Sequence, residues 1–328
     1  MDGWKSELAY NSRTQNVATG IGLNALQAEQ GAYLWLDLRN QAGEAEVERV
    51  ELFFNASQSD ASAVISVDGG PEARIALEAD DAFGRVSISA TDGPISVLKL
   101  RAQSPLILHA LKLNYREPPA AVLDAFGIPG ATMRAWQQLD PAYFSRYFDT
   151  TAYEMVMLEF GTNEGNARPF DAAGYAQMLD AALQNMRAVF PAARCVLIAP
   201  GDRGVLLPKS RKKTGRRSAS GERDSNLSGS LLRFSHIHEK IFQMQQRIGN
   251  RYGCSAWSMQ SAMGGAGAAY RWMLGNPPLM ARDLTHFTPP GYQRLAQELA
   301  EALGWKSGLP GPSNSGVPDL RQNPSDRQ

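Results

Sequence analysis

Met155-Val156-Met157-Leu158-Glu159-Phe160 runs directly into Gly161-Thr162-Asn163-Glu164, and a helical pattern opens at Asp171. A short, mainly apolar run closed by turn residues reads as a strand covered on both faces. After Asp171, the residues Tyr175, Met178, Leu179, Leu183, Met186 and Phe190 fall on one helical face. The unit then repeats. Cys195-Val196-Leu197-Ile198-Ala199 is a second strand, followed by a loop and a helix carrying Phe234, Ile237, Ile241, Met244 and Ile248. Cys254 to Met259 supplies a further strand. A last helix starts at Thr288, with proline next, and stops near Gly304. Strands alternating with helices imply an open parallel α/β sheet. Val122-Leu123-Asp124-Ala125-Phe126-Gly127 is expected to add a strand ending in a glycine-rich turn, so the α/β domain spans 119–305.

Residues 31–118 follow a different grammar. Tyr33–Leu38, Val50–Phe54, Ala63–Val67, Arg74–Leu77, Val86–Ser89, Ile95–Leu100 and Leu106–Tyr115 are short runs, several alternating apolar and polar residues. Turn signals such as Asp68-Gly69-Gly70-Pro71 and Asp92-Gly93-Pro94 separate them. Many short strands at this spacing predict a β-sandwich domain. Residues 1–30 are left as an N-terminal segment. Lys209 to Gly229 holds seven Lys/Arg among Ser and Gly and reads as a solvated basic loop. Residues 306–328 read as a disordered tail rich in Pro, Ser and Asn.

Composition narrows the class. The chain has 328 residues, 43% apolar, with a formal net charge of zero. That supports a sizeable core and argues against a dedicated nucleic-acid partner. No run approaches the roughly 18 apolar residues of a membrane span, and the first 30 residues lack the basic start and apolar centre of a signal peptide. Cys195 and Cys254 each open a strand. Two buried free thiols are the expectation, with a disulfide open if the strands are neighbours.

Among four histidines, His109 lies in a β run and reads as structural. His236 and His238 lie two apart on a helix, so they face different ways and make no metal pair. His286 stands apart. In Asp283-Leu284-Thr285-His286 a carboxylate precedes it by three residues, the partner an imidazole base needs to fix its tautomer and stabilise its charged form. Asn163, on a loop at the carboxyl edge of the sheet, can offer an N–H to a developing oxyanion. Gly127-Ile128-Pro129-Gly130-Ala131 can bring a backbone N–H close to substrate, or only turn the chain.

Phe126-Gly127-Ile128-Pro129-Gly130-Ala131, Phe160-Gly161-Thr162-Asn163-Glu164 and Asp283-Leu284-Thr285-His286 resemble, in order, the second, third and fifth blocks of SGNH (GDSL-type) hydrolases. The chain is most similar to bacterial peptidoglycan O-acetylesterases. Met263-Gly264-Gly265 with Trp272 also matches them, and their β-sandwich lies where residues 31–118 lie. The resemblance implies a flavodoxin-like parallel sheet and serine-type ester hydrolysis through an acyl-enzyme. In it His286 would be the base and Asp283 its orienting acid. Asn163 and the backbone N–H of Gly130 would form the oxyanion hole, with Gly127 the other candidate in that turn. It implies an O-acetylated glycan as substrate, no metal or organic cofactor, and a periplasmic or extracellular location.

One block is missing. The family's nucleophile is the serine of a Gly-Asp-Ser closing the first strand, and this sequence has none. Gly201-Asp202-Arg203 comes too late and reads as an ordinary loop; Ser6 and Ser12 follow no apolar strand. The family's first strand lies between those expected at Val122–Phe126 and Met155–Phe160. The expectation is therefore that the natural protein starts upstream and that the chain as given is inactive. Two other readings remain: a non-catalytic glycan-binding protein with a degenerate SGNH domain, and an adaptor that binds anionic polymers through Lys209–Arg223.

Overall fold

A computed structural model describes residues 2–8, 24–56, 60–78, 83–119, 121–126, 130–145, 153–206 and 229–305. The fold is mixed α/β, in two compact units, Met1–Thr150 and Thr151–Gln328. The basic loop up to residue 228 and the tail fall outside the described residues, as does Gly127.

The first unit is built on one antiparallel sheet. Its strands are β1 (Asp2–Leu8), β2 (Asn24–Asp37), β3 (Val47–Ala56), β4 (Ser62–Val67), β5 (Ala73–Ala76), β6 (Phe83–Ser89), β7 (Val97–Ala102) and β8 (Leu106–Tyr115). They run in the order β5-β4-β7-β2-β8-β3-β6, with β1 also on β2. Leu34, Val50, Leu52, Phe54, Leu98, Leu100, Leu106 and Leu108 share one core cluster, so the sheet curls around its own apolar face. This differs from the expected sandwich of two separate sheets. The reason lies in β2, whose 14 residues exceed an ordinary strand. Its first half pairs with β1 and β8 and its second half with β7. Gly31, at φ +88°, divides the halves. One long strand thus joins what the short runs had suggested were two layers. The β region also begins at Asp2 rather than near residue 31.

Two short helices, α1 (Arg134–Gln137) and α2 (Pro141–Phe144), close this unit. The strand expected at Val122–Gly127 is not formed in the described part: Val122 and Leu123 are 64% and 76% exposed, and 121–126 belongs to neither sheet. No described strand lies beside this segment, so its apolar sequence has no ladder to join and stays outside the described sheets.

The second unit holds a three-stranded parallel sheet, β9 (Met155–Glu159), β10 (Arg194–Ala199) and β11 (Cys254–Ser258), in the order β11-β10-β9. Its helices are α3 (Ala172–Val189), α4 (Arg233–Gly249), α5 (Met259–Ala262), α6 (Ala268–Leu274) and α7 (Pro289–Ala302). Cys195 to Ala199 are all buried, as a central strand covered on both faces requires. Val196 and Ile198 pack into the cluster of Met259, Met263, Trp272, Met280 and Leu295. Leu197 points the other way, toward α4 at Gly249. The α3 cap is Asp171, whose carboxylate accepts from Gly174 N, and the α7 cap is Thr288, whose hydroxyl accepts from Gly291 N.

The cysteines overturn the free-thiol expectation. Cys195 and Cys254 stand opposite each other on β10 and β11, with Cα atoms 4.5 Å apart, and form a disulfide. In-register placement on neighbouring parallel strands puts both side chains on one face.

Candidate active site

Three loops at the carboxyl edge of the parallel sheet make the site. The first follows β9. Gly161 takes φ +122°, and an added Cβ there would lie 2.7 Å from Pro200 and 2.8 Å from Ile241, so glycine is required on two counts. Its N–H donates to the Glu164 carboxylate at 3.0 Å, which turns the chain into a 3-10 helix over Glu164–Asn166 with Asn163 at its start.

The second loop follows β10, and it is no ordinary loop. Asp202 is buried and fully engaged. It accepts from Gln260 Nε2 at 3.0 Å and from Ala269 N, in the first turn of α6, at 2.9 Å. Arg203 donates to the Asn166 side chain and lies over the Phe234 ring, 4.3 Å from its centroid. Gly204 N donates to Leu284 O at 3.0 Å, joining this loop to the third.

The third loop carries Asp283 and His286. Asp283 Oδ1 accepts from the backbone N–H groups of Thr285 and His286, each at 3.0 Å. That Asx turn holds the carboxylate still and leaves Oδ2 to meet His286 Nδ1 at 2.6 Å. Burial by itself would raise the Asp283 pKa. The hydrogen bonds from the His286 ring and from the two backbone groups outweigh it and hold the carboxyl at about 2. An ionised carboxylate at Nδ1 fixes the proton there, so Nε2 presents its lone pair. Among the described residues Nε2 has no hydrogen-bond partner, and the His286 side chain is 72% exposed. Leu284 completes the turn at φ +57°, an unusual conformation for a branched residue, secured by burial of its side chain and by its N–H donating to Ala281 O. Phe287, next to the histidine, packs edge-on against Trp272 and Tyr292.

Helix α4 ties the first two loops to the sheet through two polar residues in its buried stripe. Phe234, His238, Ile241, Gln245 and Ile248 line one face. Gln245 Nε2 donates to Phe160 O and to the Tyr175 hydroxyl, both at 3.0 Å. His238 Nδ1 meets Gly201 O at 2.6 Å, and burial pushes its pKa down to about 4, so the neutral ring donates through Nδ1. Both side chains therefore hold carbonyls just past strand ends.

The structure joins His286 to Asp283. It links their loop to the turn that Asn163 begins, through Arg203, Asn166 and Gly204. Gly130 belongs to the first unit, in a turn at φ +79°. His109 is buried in β8, where burial depresses its pKa to about 4, and His236 is exposed on α4. Asp202, Gln245 and His238 were missed in the sequence. Their signal was present as polar residues in positions that the surrounding pattern marks as interior.

No protein-family profile matches the chain, and no curated protein does. Among solved structures it is similar to a peptidoglycan O-acetylesterase, with 23% identity and a TM-score of 0.65, over 92% of this chain and 75% of the other. The fold is therefore shared with that enzyme. A family two carbohydrate esterase from Cellvibrio japonicus is 13% identical with a TM-score of 0.28, over 93% of this chain and 99% of the other. The salicylyl-acyltransferase SsfX3 from a tetracycline biosynthetic pathway is 14% identical with a TM-score of 0.32, over 93% and 92%. Superpositions at that level carry no weight.

Proposed function

We propose that the chain is the base-bearing part of an SGNH-type carbohydrate esterase that removes acetyl groups from sugar hydroxyls, with O-acetylated peptidoglycan as substrate. One observation carries the reading. Asp283 fixes the His286 ring through Nδ1 and leaves Nε2 bare and exposed. In that arrangement Nε2 takes the proton of a serine hydroxyl as its oxygen attacks the acetyl carbon, then returns it to the departing sugar oxygen. Water cleaves the acyl-serine by the same proton relay. Asn163 is the proposed side-chain donor to the oxyanion. On this reading β11-β10-β9 belongs to a flavodoxin-like sheet, and the curled sheet serves as a sandwich-like accessory unit. The Cys195–Cys254 disulfide supports a periplasmic or extracellular setting, where such bonds persist.

The sequence contains no Gly-Asp-Ser, so the 328 residues alone are expected to leave p-nitrophenyl acetate intact. Supplied with the family's Gly-Asp-Ser block, the protein should release acetate from that ester and from O-acetylated peptidoglycan. His286→Ala should then cut the rate about 10⁶-fold. Full activity of the 328 residues would place the nucleophile elsewhere. No release by the protein supplied with that block, with glycan binding intact after His286→Ala, would favour a binding protein instead.

A further inference from the structure

Leu284 stands in the middle of the turn that joins Asp283 to His286, with its backbone at φ +57°. That conformation is sterically disfavoured for a branched side chain, so the surroundings must hold it. Part of the hold is local: Leu284 N–H donates to Ala281 O, and Ala281 N–H donates to His286 O. The rest comes from the loop after β10. Gly204 N–H donates to Leu284 O, and an added Cβ at Gly204 would lie 2.7 Å from Leu284 Cδ1 and 3.0 Å from Tyr270 Cζ. The Leu284 side chain, 3% exposed, therefore rests on bare backbone, and that backbone rests on the Tyr270 ring.

Helix α6 grips the same loop at two points. The Tyr270 hydroxyl accepts from Val205 N–H at 2.8 Å. Its own hydrogen has two acceptors in reach, Leu231 O at 3.1 Å and Val205 O at 3.4 Å. One residue earlier, Ala269 N–H donates to the Asp202 carboxylate at 2.9 Å. Residues 202–205 are thus clamped by α6 on one side and bear Leu284 on the other. The bonds between Asp283 and His286 close the turn, but a turn with a strained centre stays closed only while that centre is supported. From this stacking of Leu284 on Gly204 on Tyr270, we infer that Tyr270 is a positioning residue for His286, keeping its ring on Asp283 by way of Gly204 and Leu284. That His286 acts as a base rests on the esterase reading, whereas the support of its turn does not.

The test is ¹⁵N NMR of the His286 imidazole in Tyr270→Phe, which keeps the ring and removes only the hydroxyl. Without that hydroxyl the loop should open more often, with amide exchange at Gly204 and Val205 faster by about tenfold. Leu284 should then relax, and the Nδ1 and Nε2 signals of His286 should move toward each other as the ring leaves Asp283 and samples both tautomers. Gly204→Ala disturbs the stack without touching the hydroxyl and should move the same signals. Tyr252→Phe is the control. Its hydroxyl donates to Asp180 Oδ1 at 2.8 Å, at the amino end of β11, and its loss should leave His286 unmoved. Signals unmoved in folded Tyr270→Phe or folded Gly204→Ala, or moved as far by Tyr252→Phe, would overturn the inference. With the family's Gly-Asp-Ser block supplied, a His286 response without ester hydrolysis would sink the esterase reading alone. Hydrolysis without that response would sink the positioning role alone.

Discussion

At the scale of single residues, the Asp283–His286 contact is a local device. Its three hydrogen bonds all fall within residues 283–286, which is why the spacing alone exposed it. Asp202, His238 and Gln245 could not be read the same way, because their partners lie far along the chain: Gln260 and Ala269, Gly201, and Phe160 with Tyr175. Two predictions belong here. The folded pKa of Asp283 lies below the ordinary value near 4, so its stabilisation is complete above about pH 4. It is lost as pH falls through the folded value of about 2. Carboxyl NMR should find Asp283 ionised at pH 3, and an ordinary titration near 4 would contradict the contact. Asp202→Ala strands the Ala269 N–H and one proton of the Gln260 amide, whose nitrogen keeps its bond to Ser235 O, and should cost about 1–3 kcal/mol by urea denaturation. A change below about 0.5 kcal/mol, the ordinary surface effect, would mean the buried bonds do not form.

At the scale of elements, period and capping residues located β2 to β11 and the helices α3, α4 and α7, since burial on a sheet or against it imposes those patterns; β1 and the short helices α1, α2, α5 and α6 went unread. Val122–Phe126 shows where the method stops. A strand is a property of a pair, and apolar sequence says nothing about whether a partner exists. Helix α4 shows a subtler gap. Its stripe announced a buried face, but not that two of the positions hold backbone carbonyls at the ends of β9 and β10. Gln245→Leu removes the donor to Phe160 O and should cost about 1–3 kcal/mol. Hydrogen exchange should quicken first at Gly161 and its neighbours. Unchanged exchange there would show that the glutamine does not hold the loop.

At the scale of the whole molecule, the change from an all-β to an α/β region was legible, because the two patterns differ in period. The curled single sheet was not, since its closure depends on one long strand pairing differently along its two halves. The disulfide gives the two units different chemistry: Cys195 and Cys254 both lie in the second, 59 residues apart. Reduction should therefore destabilise the second unit by about 2–4 kcal/mol, read as a fall in that unit's melting transition. A transition unmoved by reductant would contradict the disulfide.

The central claim is that Asp283 holds His286 with its proton on Nδ1 and its basic lone pair on Nε2. The ¹⁵N chemical shifts of that imidazole at neutral pH test it directly. The account predicts a protonated Nδ1 and a bare Nε2, with the distinction lost in Asp283→Ala. A proton resident on Nε2, or a ring averaging between tautomers in the unmodified protein, would contradict it.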